Sequence, residues 1–488
     1  MCGIMFRRVS GIGETAFMES ETKRFTMDGQ HKFAALSGDF NPIHVDFIAA
    51  RRLLFGQPVV HGIHTLLWML DRWLAEGSPI RIRTVRAEFR SPTRLEQDVY
   101  CSIRSTGVGQ VHLEAATATT RLVTAEIHWQ ASGGTTNIPG TSPDVETPHA
   151  LLGSEITSAI GTVPLMFDKN LAGAMFPNVS AKLPADQFAA LLASTRVVGM
   201  RVPGLHSLLN AIDLADSPDS SSEFSYSVEE YDERFARAIL RLRGAGLAGT
   251  ATAFLRPAPT AQAGFLEVSR SVTRGEFTGE RAIVIGGSRG LGEIAVKQLV
   301  AGGAAVRFSY HLGEADARRL THEVTSAGGQ ADCFQLDVRG ETKTLDEVCR
   351  EFAPTMLCYF STPSILGAPR GRFSAPLFHE LCQFYVDGFL KAFASAASCG
   401  SLTRVLQPSS VAIEQTPSGM AEYSAAKAAA ETVIRALRIS HPKIHFFAPR
   451  WGRMPTDLTA TIAAADVDDP VPVVLAALRE MKNNSPSS

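Results

Sequence analysis

The chain has 488 residues, of which 45% are hydrophobic and 20% are charged, and its formal net charge is −2. The length suits about three ordinary domains, and the near-neutral charge gives no electrostatic reason to expect a nucleic-acid partner. We see no apolar leader and no apolar run long enough to cross a bilayer, so no membrane association is expected. The seven cysteines form no CxxC pair, which favours a reducing, cytoplasmic location.

A turn-rich segment, FAALSGDFNPIH at residues 33–44, contains the first candidate catalytic pair, Asp39 and His44. The Gly38-Asp39 and Asn41-Pro42 pairs are expected to exclude helix and strand there and to hold both side chains in a loop. A carboxylate and an imidazole together can exchange protons at neutral pH. The pattern therefore predicts an acid/base site.

A buried helix is predicted to follow, because apolar residues recur at helical spacing from Ile63 onwards. A helix that begins near Gly62 leaves N–H groups unpaired, so the Gly62 amide could stabilise an oxyanion. His61 and His64 lie three positions apart, but the sequence offers no evident third ligand, and no metal is expected.

This segment resembles the MaoC-like (R)-specific enoyl-CoA hydratases and 3-hydroxyacyl-thioester dehydratases. The resemblance implies a hotdog fold, in which an antiparallel sheet wraps around one long helix and a thioester binds at the helix N-terminus. It also implies that Asp39 and His44 act on one water or hydroxyl group, while the Gly62 amide polarises the thioester carbonyl. Residues 80–90, 99–104 and 112–130 have the alternation expected of the sheet strands.

A faint internal repeat follows in the middle of the chain. The sequence FAAL occurs at residues 33–36 and again at 188–191, and PGLHSLL at 203–209 is similar to HGIHTLL at 61–67. We interpret this as a second, degenerate hotdog that keeps a central helix, predicted around residues 205–212, and lacks the acid/base pair. Coincidence of short apolar patterns is the alternative.

Alternating strands and helices begin at Arg281. A short apolar strand leads into GGSRGLG at residues 286–292 and then into a helical run, an arrangement that places a pyrophosphate at a helix N-terminus. Glycines in such a loop permit a tight turn and close approach of the backbone to phosphate. The candidate cofactor-binding residues of the loop are Gly286, Ser288, Arg289, Gly290, Leu291 and Gly292.

A second catalytic set consists of Ser410, Tyr423 and Lys427, at separations of 13 and 4 residues. The i, i+4 spacing places Tyr423 and Lys427 on one helix face, where an ammonium can lower the pKa of the phenol. Ser410 can then hydrogen-bond a reacting oxygen.

These residues resemble the short-chain dehydrogenase/reductase family and, within it, the 3-oxoacyl-thioester reductases. The resemblance implies that Tyr423 donates a proton to the carbonyl, that Lys427 activates it and binds ribose, and that Ser410 positions the substrate. It also matches Asp337 with the residue that meets the adenine. The chain departs from the family at Tyr385, where an Asn is usual; Asp387 could substitute if the register differs.

The cofactor is predicted to be NADP(H). The strand that ends at Tyr310 carries no acidic residue for a ribose 2′-hydroxyl, and Arg289 could face a 2′-phosphate. Glu314 follows shortly after but is expected to open the next helix.

The whole chain is thus predicted to be multidomain, an α+β double hotdog followed by an α/β Rossmann-type doubly wound parallel sheet. The expected function is NADPH-dependent 3-oxoacyl-thioester reduction coupled to 3-hydroxyacyl-thioester dehydration, on an acyl-CoA or acyl-carrier-protein thioester. In the alternative, only the hotdog is active, and the C-terminal domain reduces a non-thioester carbonyl or serves as a non-catalytic NADP(H)-binding scaffold.

Both families commonly form dimers or tetramers, so we expect a homo-oligomer. The predicted segments are an extension (1–20), the first hotdog (21–131), a linker (132–150), the second hotdog (151–257), a linker (258–278), the reductase domain (279–482) and a disordered tail (483–488).

Overall fold

The structure is a computed structural model that describes residues 22–53, 55–132, 145–219, 221–363, 365, 373–459 and 467–483. The predicted extension at 1–20, residues 133–144 of the first predicted linker and tail residues 484–488 lie outside the described residues. The chain divides into two compact units. The first comprises residues 1–47 and 57–256, and the second comprises residues 48–56 and 257–488.

The first half of unit one is an antiparallel meander with one long buried helix. Its elements, including α3 at the division between the units, are β1 (Thr22–Lys23), α1 (Met27–Ser37), α2 (Pro42–Val45), α3 (Phe47–Ala50), α4 (Gly62–Leu74), β2 (Ile80–Phe89), β3 (Val99–Gly107), β4 (Gln110–Ala116) and β5 (Arg121–Ala131). Helix α4 begins where the spacing predicts it, and its apolar face packs on β3, β4 and β5. The strands also form where alternation predicts them.

The second half repeats this arrangement with shorter helices. Its elements are α5 (Ser154–Thr157), β6 (Ile160–Pro164), α6 (Lys169–Met175), α7 (Pro177–Lys182), α8 (Ala185–Arg196), a π-helical turn (Val197–Arg201), β7 (Ser207–Asp216), β8 (Glu223–Asp232), a 3₁₀ turn (Glu233–Phe235), β9 (Arg237–Gly244) and β10 (Leu247–Leu255). Antiparallel pairing of β2 with β7 joins both halves into one ten-stranded sheet, in the order β1-β3-β4-β5-β2-β7-β10-β9-β8-β6.

The predicted central helix around residues 205–212 is wrong. These residues enter strand β7, which pairs with β10 on one side and β2 on the other. The buried helix of this half is α8 instead, which contains the second FAAL sequence, with Phe188 and Leu191 fully buried. A run of leucines fits both a helix face and a sheet covered on both sides, and pairing with two neighbouring strands decides for the sheet.

The loop predicted around Asp39 and His44 also differs in one respect. Asn41 and Pro42 start a short helix, α2, rather than exclude one, and His44 lies within it. The Asn41 side chain accepts a hydrogen bond from the Ile43 amide as an N-cap, and proline is well tolerated in a first helical turn. Asp39 lies just before this helix, next to Gly38, whose φ of 76° ends α1.

Unit two contains a six-stranded parallel sheet in the order β13-β12-β11-β14-β15-β17. Its elements are α9 (Phe265–Ser269), β11 (Arg281–Ile285), α10 (Gly290–Ala301), β12 (Ala305–Tyr310), α11 (Glu314–Ser326), β13 (Gln330–Gln335), α12 (Lys343–Phe352), β14 (Met356–Tyr359), α13 (Ala375–Cys382), a π-helical turn (Gln383–Gly388), α14 (Phe389–Ala397), β15 (Arg404–Leu406), β16 (Ser409–Ser410), α15 (Ala412–Gln415), α16 (Ala421–Ser440), β17 (His445–Phe447), β18 (Arg450–Trp451), a 3₁₀ turn (Asp457–Thr459) and α17 (Pro470–Asn483). This order is that of a Rossmann-type dinucleotide fold. None of the helices in the described ranges combines the length and apolar character that a bilayer crossing needs.

The segment predicted as a linker at 258–278 packs against unit two. It forms α9, and Phe265, Val268 and Phe277 are buried in the core of the unit. A buried lysine fixes this segment to α10: the Lys297 ammonium donates to the Ala263 carbonyl at 2.8 Å and lies 2.8 Å from a Glu293 carboxylate oxygen. Since Lys297 is 1% exposed, its charge depends on these partners.

Replacement of Lys297 by methionine should destabilise unit two. The change leaves the Glu293 carboxylate buried with one fewer cation, and removal of one member of a buried pair typically costs about 3 kcal/mol. Hydrogen exchange of peptides from α10, followed by mass spectrometry at increasing urea concentration, measures this loss. Lys343→Met, at an exposed position of α12, is the matched control and should leave exchange unchanged. Equal protection in both variants would contradict the role of Lys297.

Candidate active sites

Asp39 is a buried carboxylate in unit one, with a side chain that is 1% exposed. One carboxylate oxygen accepts a hydrogen bond from the Thr195 hydroxyl at 2.7 Å, and the other accepts one from the Asn41 amide at 3.2 Å. Burial raises the pKa of Asp39, and His44 and these two donors oppose the rise. The carboxyl group is thereby prepared for proton exchange.

His44 faces Asp39 from helix α2. Its Nδ1 lies 2.8 Å from the carbonyl oxygen of Val59, which can only accept, so Nδ1 carries a proton and Nε2 of the neutral ring is an acceptor without a hydrogen-bond donor among the described residues. Burial lowers the pKa of His44, and the Asp39 carboxylate opposes this. The structure thus brings together the two residues that the sequence pairs.

Gly62 is the first residue of α4, as predicted, and its amide belongs to the first turn, whose N–H groups have no intrahelical acceptor. A Cβ atom at this position would lie 2.6 Å from Cδ1 of Phe89, so no side chain fits. The Phe89 ring therefore packs directly on the backbone at Gly62.

His61 joins the pair in space, which the sequence did not indicate. The donor atoms of Asp39, His44 and His61 lie within 4.8 Å of one another, a spacing that a metal ion could bridge. Each ring nitrogen of His61 already lies close to an acceptor, however: Nδ1 is 2.8 Å from Gln30 Oε1, and Nε2 is 2.9 Å from the Asp39 carbonyl oxygen. Burial lowers the pKa of His61, and the neutral ring can donate to only one of these two oxygens at a time. His61 therefore contacts both Gln30 and the Asp39 backbone.

The second half of the unit contributes directly to this site, which sequence reasoning missed. Besides the Thr195 hydroxyl, Gly199 contacts the carboxylate so closely that a Cβ there would lie 2.6 Å from Oδ2 of Asp39. The side-chain amide of Asn41 donates to the carbonyls of Gly199 at 2.9 Å and Gly204 at 3.1 Å. The available signal in the sequence was the internal repeat, with FAAL at residues 33–36 and again at 188–191.

In unit two, the glycine loop connects β11 with α10. Gly286 has a φ of 77°, and a Cβ there would lie 2.8 Å from the Ser361 nitrogen. A Cβ on Gly292 would overlap the Gly286 carbonyl oxygen, so the loop can close only with glycine at both positions. All six residues predicted in the loop line one cavity of about 400 Å³ at the N-terminus of α10. The loop backbone, the helix end and this cavity fit a dinucleotide.

Ser410, Tyr423 and Lys427 line the same cavity. Ser410 hydrogen-bonds Tyr423 and so lowers its pKa, while burial has the larger, opposite effect. Burial lowers the pKa of Lys427 to about 7. The Lys427 ammonium donates to the Pro408 carbonyl at 2.9 Å and lies 4.0 Å from the centre of the Tyr385 ring. The structure therefore assembles the predicted set around one space.

Three other positions near the cavity differ from expectation or need a new interpretation. Asp337 does not line the cavity: its carboxylate accepts from Arg339, and Leu336 faces the space instead. Asp387 is exposed, so it does not substitute for the missing Asn. Tyr385 occupies that position in a π-helical turn, where its hydroxyl hydrogen-bonds Thr362.

Sequence reasoning also missed residues 48–56. They follow the His44 helix in the chain but belong to unit two, where Arg51, Leu53 and Gly56 line the dinucleotide cavity. The pair Arg51-Arg52 was the available signal, but nothing in its spacing connects it with a loop more than two hundred residues later in the chain.

Comparisons with known proteins find a family model for a segment of each unit. The model of the MaoC like domain matches residues 12–127, and that of the short chain dehydrogenase matches residues 280–465. A curated relative, the cyclic-di-GMP-binding biofilm dispersal mediator protein of Escherichia coli (strain K12), is 30% identical over 173 residues, which cover 33% of this chain and 67% of that protein.

Solved structures of short-chain dehydrogenases also align. The enzyme from Serratia marcescens BCRC 10948 is 21% identical, with 42% of this chain and 91% of that chain covered, at a TM-score of 0.38. One from Burkholderia cenocepacia J2315 in complex with NADP is also 21% identical, with 41% and 89% covered, at 0.38. Scores this low add nothing to the family assignment. The chain is a fusion of a MaoC-like domain, at residues 12–127, with a short-chain dehydrogenase domain, at residues 280–465.

Proposed function

We propose that the protein is a bifunctional acyl-thioester enzyme, an NADPH-dependent 3-oxoacyl-thioester reductase and a 3-hydroxyacyl-thioester dehydratase. The observation that carries the proposal is the pairing of two complete polar sets, Asp39 with His44 and Ser410 with Tyr423 and Lys427. Their reactions are consecutive, because reduction of the 3-oxo group creates the hydroxyl that dehydration removes. Hydration of an enoyl thioester is the reverse of the second step.

The reductase half uses Tyr423 as the proton donor. NADPH, when bound, supplies a hydride to C3 of the substrate. Tyr423 gives its proton to the oxygen of the C3 carbonyl. The Ser410 hydroxyl hydrogen-bonds this oxygen and holds the carbonyl against the phenol. A protonated Lys427 beside the ring favours the phenolate that remains after proton transfer.

The dehydratase half requires a base at C2, an acid at the leaving hydroxyl and stabilisation of the thioester oxygen. His44 Nε2 and the Asp39 carboxyl group can supply the first two functions, because burial raises the pKa of Asp39 and lowers the pKa of His44, which brings the proton affinities of the two groups closer together. The amide of Gly62, at the positive end of α4, can stabilise the oxygen.

We further propose that unit one is a double hotdog with a single working site. The two halves share one sheet, and α8 occupies in the second half the buried position that α4 occupies in the first. The second half has no equivalent of Asp39 and His44 at α8, and it supports the Asp39 carboxylate through Thr195.

The acyl group is carried by coenzyme A or a carrier protein, and we expect a cytoplasmic homo-oligomer.

One observation favours the alternative in which only the dehydratase half acts on thioesters. Tyr385 replaces the family's Asn, and its carbonyl oxygen accepts a hydrogen bond from the Gln407 side chain at 2.8 Å. On this alternative the second unit reduces a non-thioester carbonyl or binds NADP(H) without turnover.

Incubation of the protein with a short 3-oxoacyl-CoA and NADPH should give the enoyl thioester, as measured by mass spectrometry. Asp39→Asn should stop at the 3-hydroxy compound, because the amide cannot exchange the proton. Tyr423→Phe should lose about 100-fold or more in NADPH consumption, since general acid catalysis typically contributes that much.

The two variants control each other, because each leaves the other site intact. Tyr423→Phe should still hydrate an enoyl-CoA at the wild-type rate. NADPH consumption by Tyr423→Phe at the wild-type rate would exclude the reductase assignment. Turnover of a ketone without a thioester, together with inert 3-oxoacyl-CoA, would favour the alternative.

Replacement of Thr195 by valine should move the acid limb of the enoyl-CoA hydration profile to higher pH. The Thr195 hydroxyl holds the pKa of Asp39 down, so its loss lets burial raise that pKa further, and the carboxylate is then lost earlier on acidification. The measurement is kcat/KM against pH.

Ser194→Ala is the matched control, because this neighbouring buried hydroxyl donates to the Leu191 carbonyl at 2.7 Å and does not contact Asp39. It should keep the wild-type acid limb. An unshifted limb in Thr195→Val would mean that Asp39 does not govern the acid side of the profile.

A further inference from the structure

Residues 48–56, which lie outside the segment that the short-chain dehydrogenase model matches, bring Arg51 to the dinucleotide cavity of unit two. Arg51 lines the cavity together with Arg289 of the glycine loop and with Tyr310, His311 and Leu312, which follow one another at the end of β12. In Rossmann-type folds the ribose of the adenosine lies near the end of this second strand, and its 2′ substituent is recognised there.

The Arg51 guanidinium lies against Gly313, in the turn between β12 and α11. A Cβ on Gly313 would lie 2.7 Å from both Cζ and Nη1 of Arg51, so the guanidinium packs directly on the glycine backbone. The Arg51 side chain is 13% exposed, and its Nε is buried with no hydrogen-bond partner among the described residues. An unpaired buried donor of this kind is costly unless a ligand satisfies it.

The charges around Arg51 leave a positive excess. Asp316 pairs with Arg51 at 2.6 Å and with Arg52 at 3.3 Å, and Asp457 lies 3.3 Å from both Arg52 and Arg289. Three guanidinium groups thus share two carboxylates, which leaves one positive charge. Asp316 does not line the cavity and both of its oxygens are bonded to arginines, so it is not placed to bind a ribose hydroxyl.

We propose that Arg51 and Arg289 together bind the 2′-phosphate of NADP(H), so that a residue from outside the dehydrogenase sequence determines the cofactor preference of unit two. A planar guanidinium suits a phosphate, to which it can donate two parallel hydrogen bonds. The proposal rests on the proposed use of NADP(H), and it adds the residue that distinguishes NADP(H) from NAD(H).

The test is equilibrium binding to the full chain, without turnover, of two probes that differ only in the 2′-phosphate: 2′,5′-ADP and 5′-AMP. Arg51→Gln should weaken 2′,5′-ADP by about 10- to 100-fold, the usual effect of a lost charge-assisted hydrogen bond, and leave 5′-AMP unchanged. Arg51→Lys keeps the positive charge but loses the planar guanidinium group. Its affinity for 2′,5′-ADP should therefore lie between those of the wild-type protein and Arg51→Gln. The same measurements with NADPH and NADH should show the same selectivity.

Arg52→Gln is the matched control, because Arg52 belongs to the same ion network and does not line the cavity. It removes an equal charge next to Arg51 but no group from the cavity wall, so it should weaken 2′,5′-ADP by less than Arg51→Gln does and leave 5′-AMP unchanged. Retained 5′-AMP binding shows in each variant that the cavity is folded.

The outcomes separate this proposal from the proposed function. Unchanged affinity of Arg51→Gln for 2′,5′-ADP would overturn the proposed role of Arg51. An equal loss of affinity for 2′,5′-ADP and 5′-AMP would also overturn it and would indicate that Arg51 has a structural role. If the wild-type protein binds both probes equally, the use of NADP(H) fails as well. Selective loss in Arg51→Gln alone supports the proposal even if no 3-oxoacyl thioester is turned over.

Discussion

A single buried carboxylate organises unit one. Asp39 comes from the first half of the chain, but the second half supplies the hydroxyl of Thr195 and the backbone at Gly199 that enclose it. An isolated charge in such a place would be strongly unfavourable, so the carboxylate is stable only when both halves are folded together. The shared sheet and the Asn41 bonds to the carbonyls of Gly199 and Gly204 hold the halves at the required distance.

Unit two contains a partly buried cation at its site. Lys427 lines the cavity, and its ammonium is stabilised by the Pro408 carbonyl and by the face of the Tyr385 ring. The ring stands where the family has an amide, so the departure at Tyr385 supplies an interaction that the cation can use. Since burial lowers the pKa of Lys427 to about 7, small changes around the ring decide whether the group is charged at neutral pH.

Local patterns predicted much of this molecule. Helix α4, the strands of the first half, the glycine loop and the spacing of Ser410, Tyr423 and Lys427 depend on neighbours within a few residues, and the structure has them where the sequence places them. Contacts between distant residues were not predictable in this way. Thr195 bonds Asp39 from 156 positions away, and the helix expected around residues 205–212 became a strand because two other strands flank it.

The position of residues 48–56 has a consequence for how such a fusion can be taken apart. The segment follows His44 and precedes Val59, whose carbonyl fixes the His44 ring, yet it lines the dinucleotide cavity. A chain cut near Pro257 would therefore give a reductase fragment without part of its cavity wall. The fragment would contain the whole segment that the short-chain dehydrogenase model matches and would still lack residues that line its cavity, so the boundary of the matched sequence is not the boundary of the folded unit.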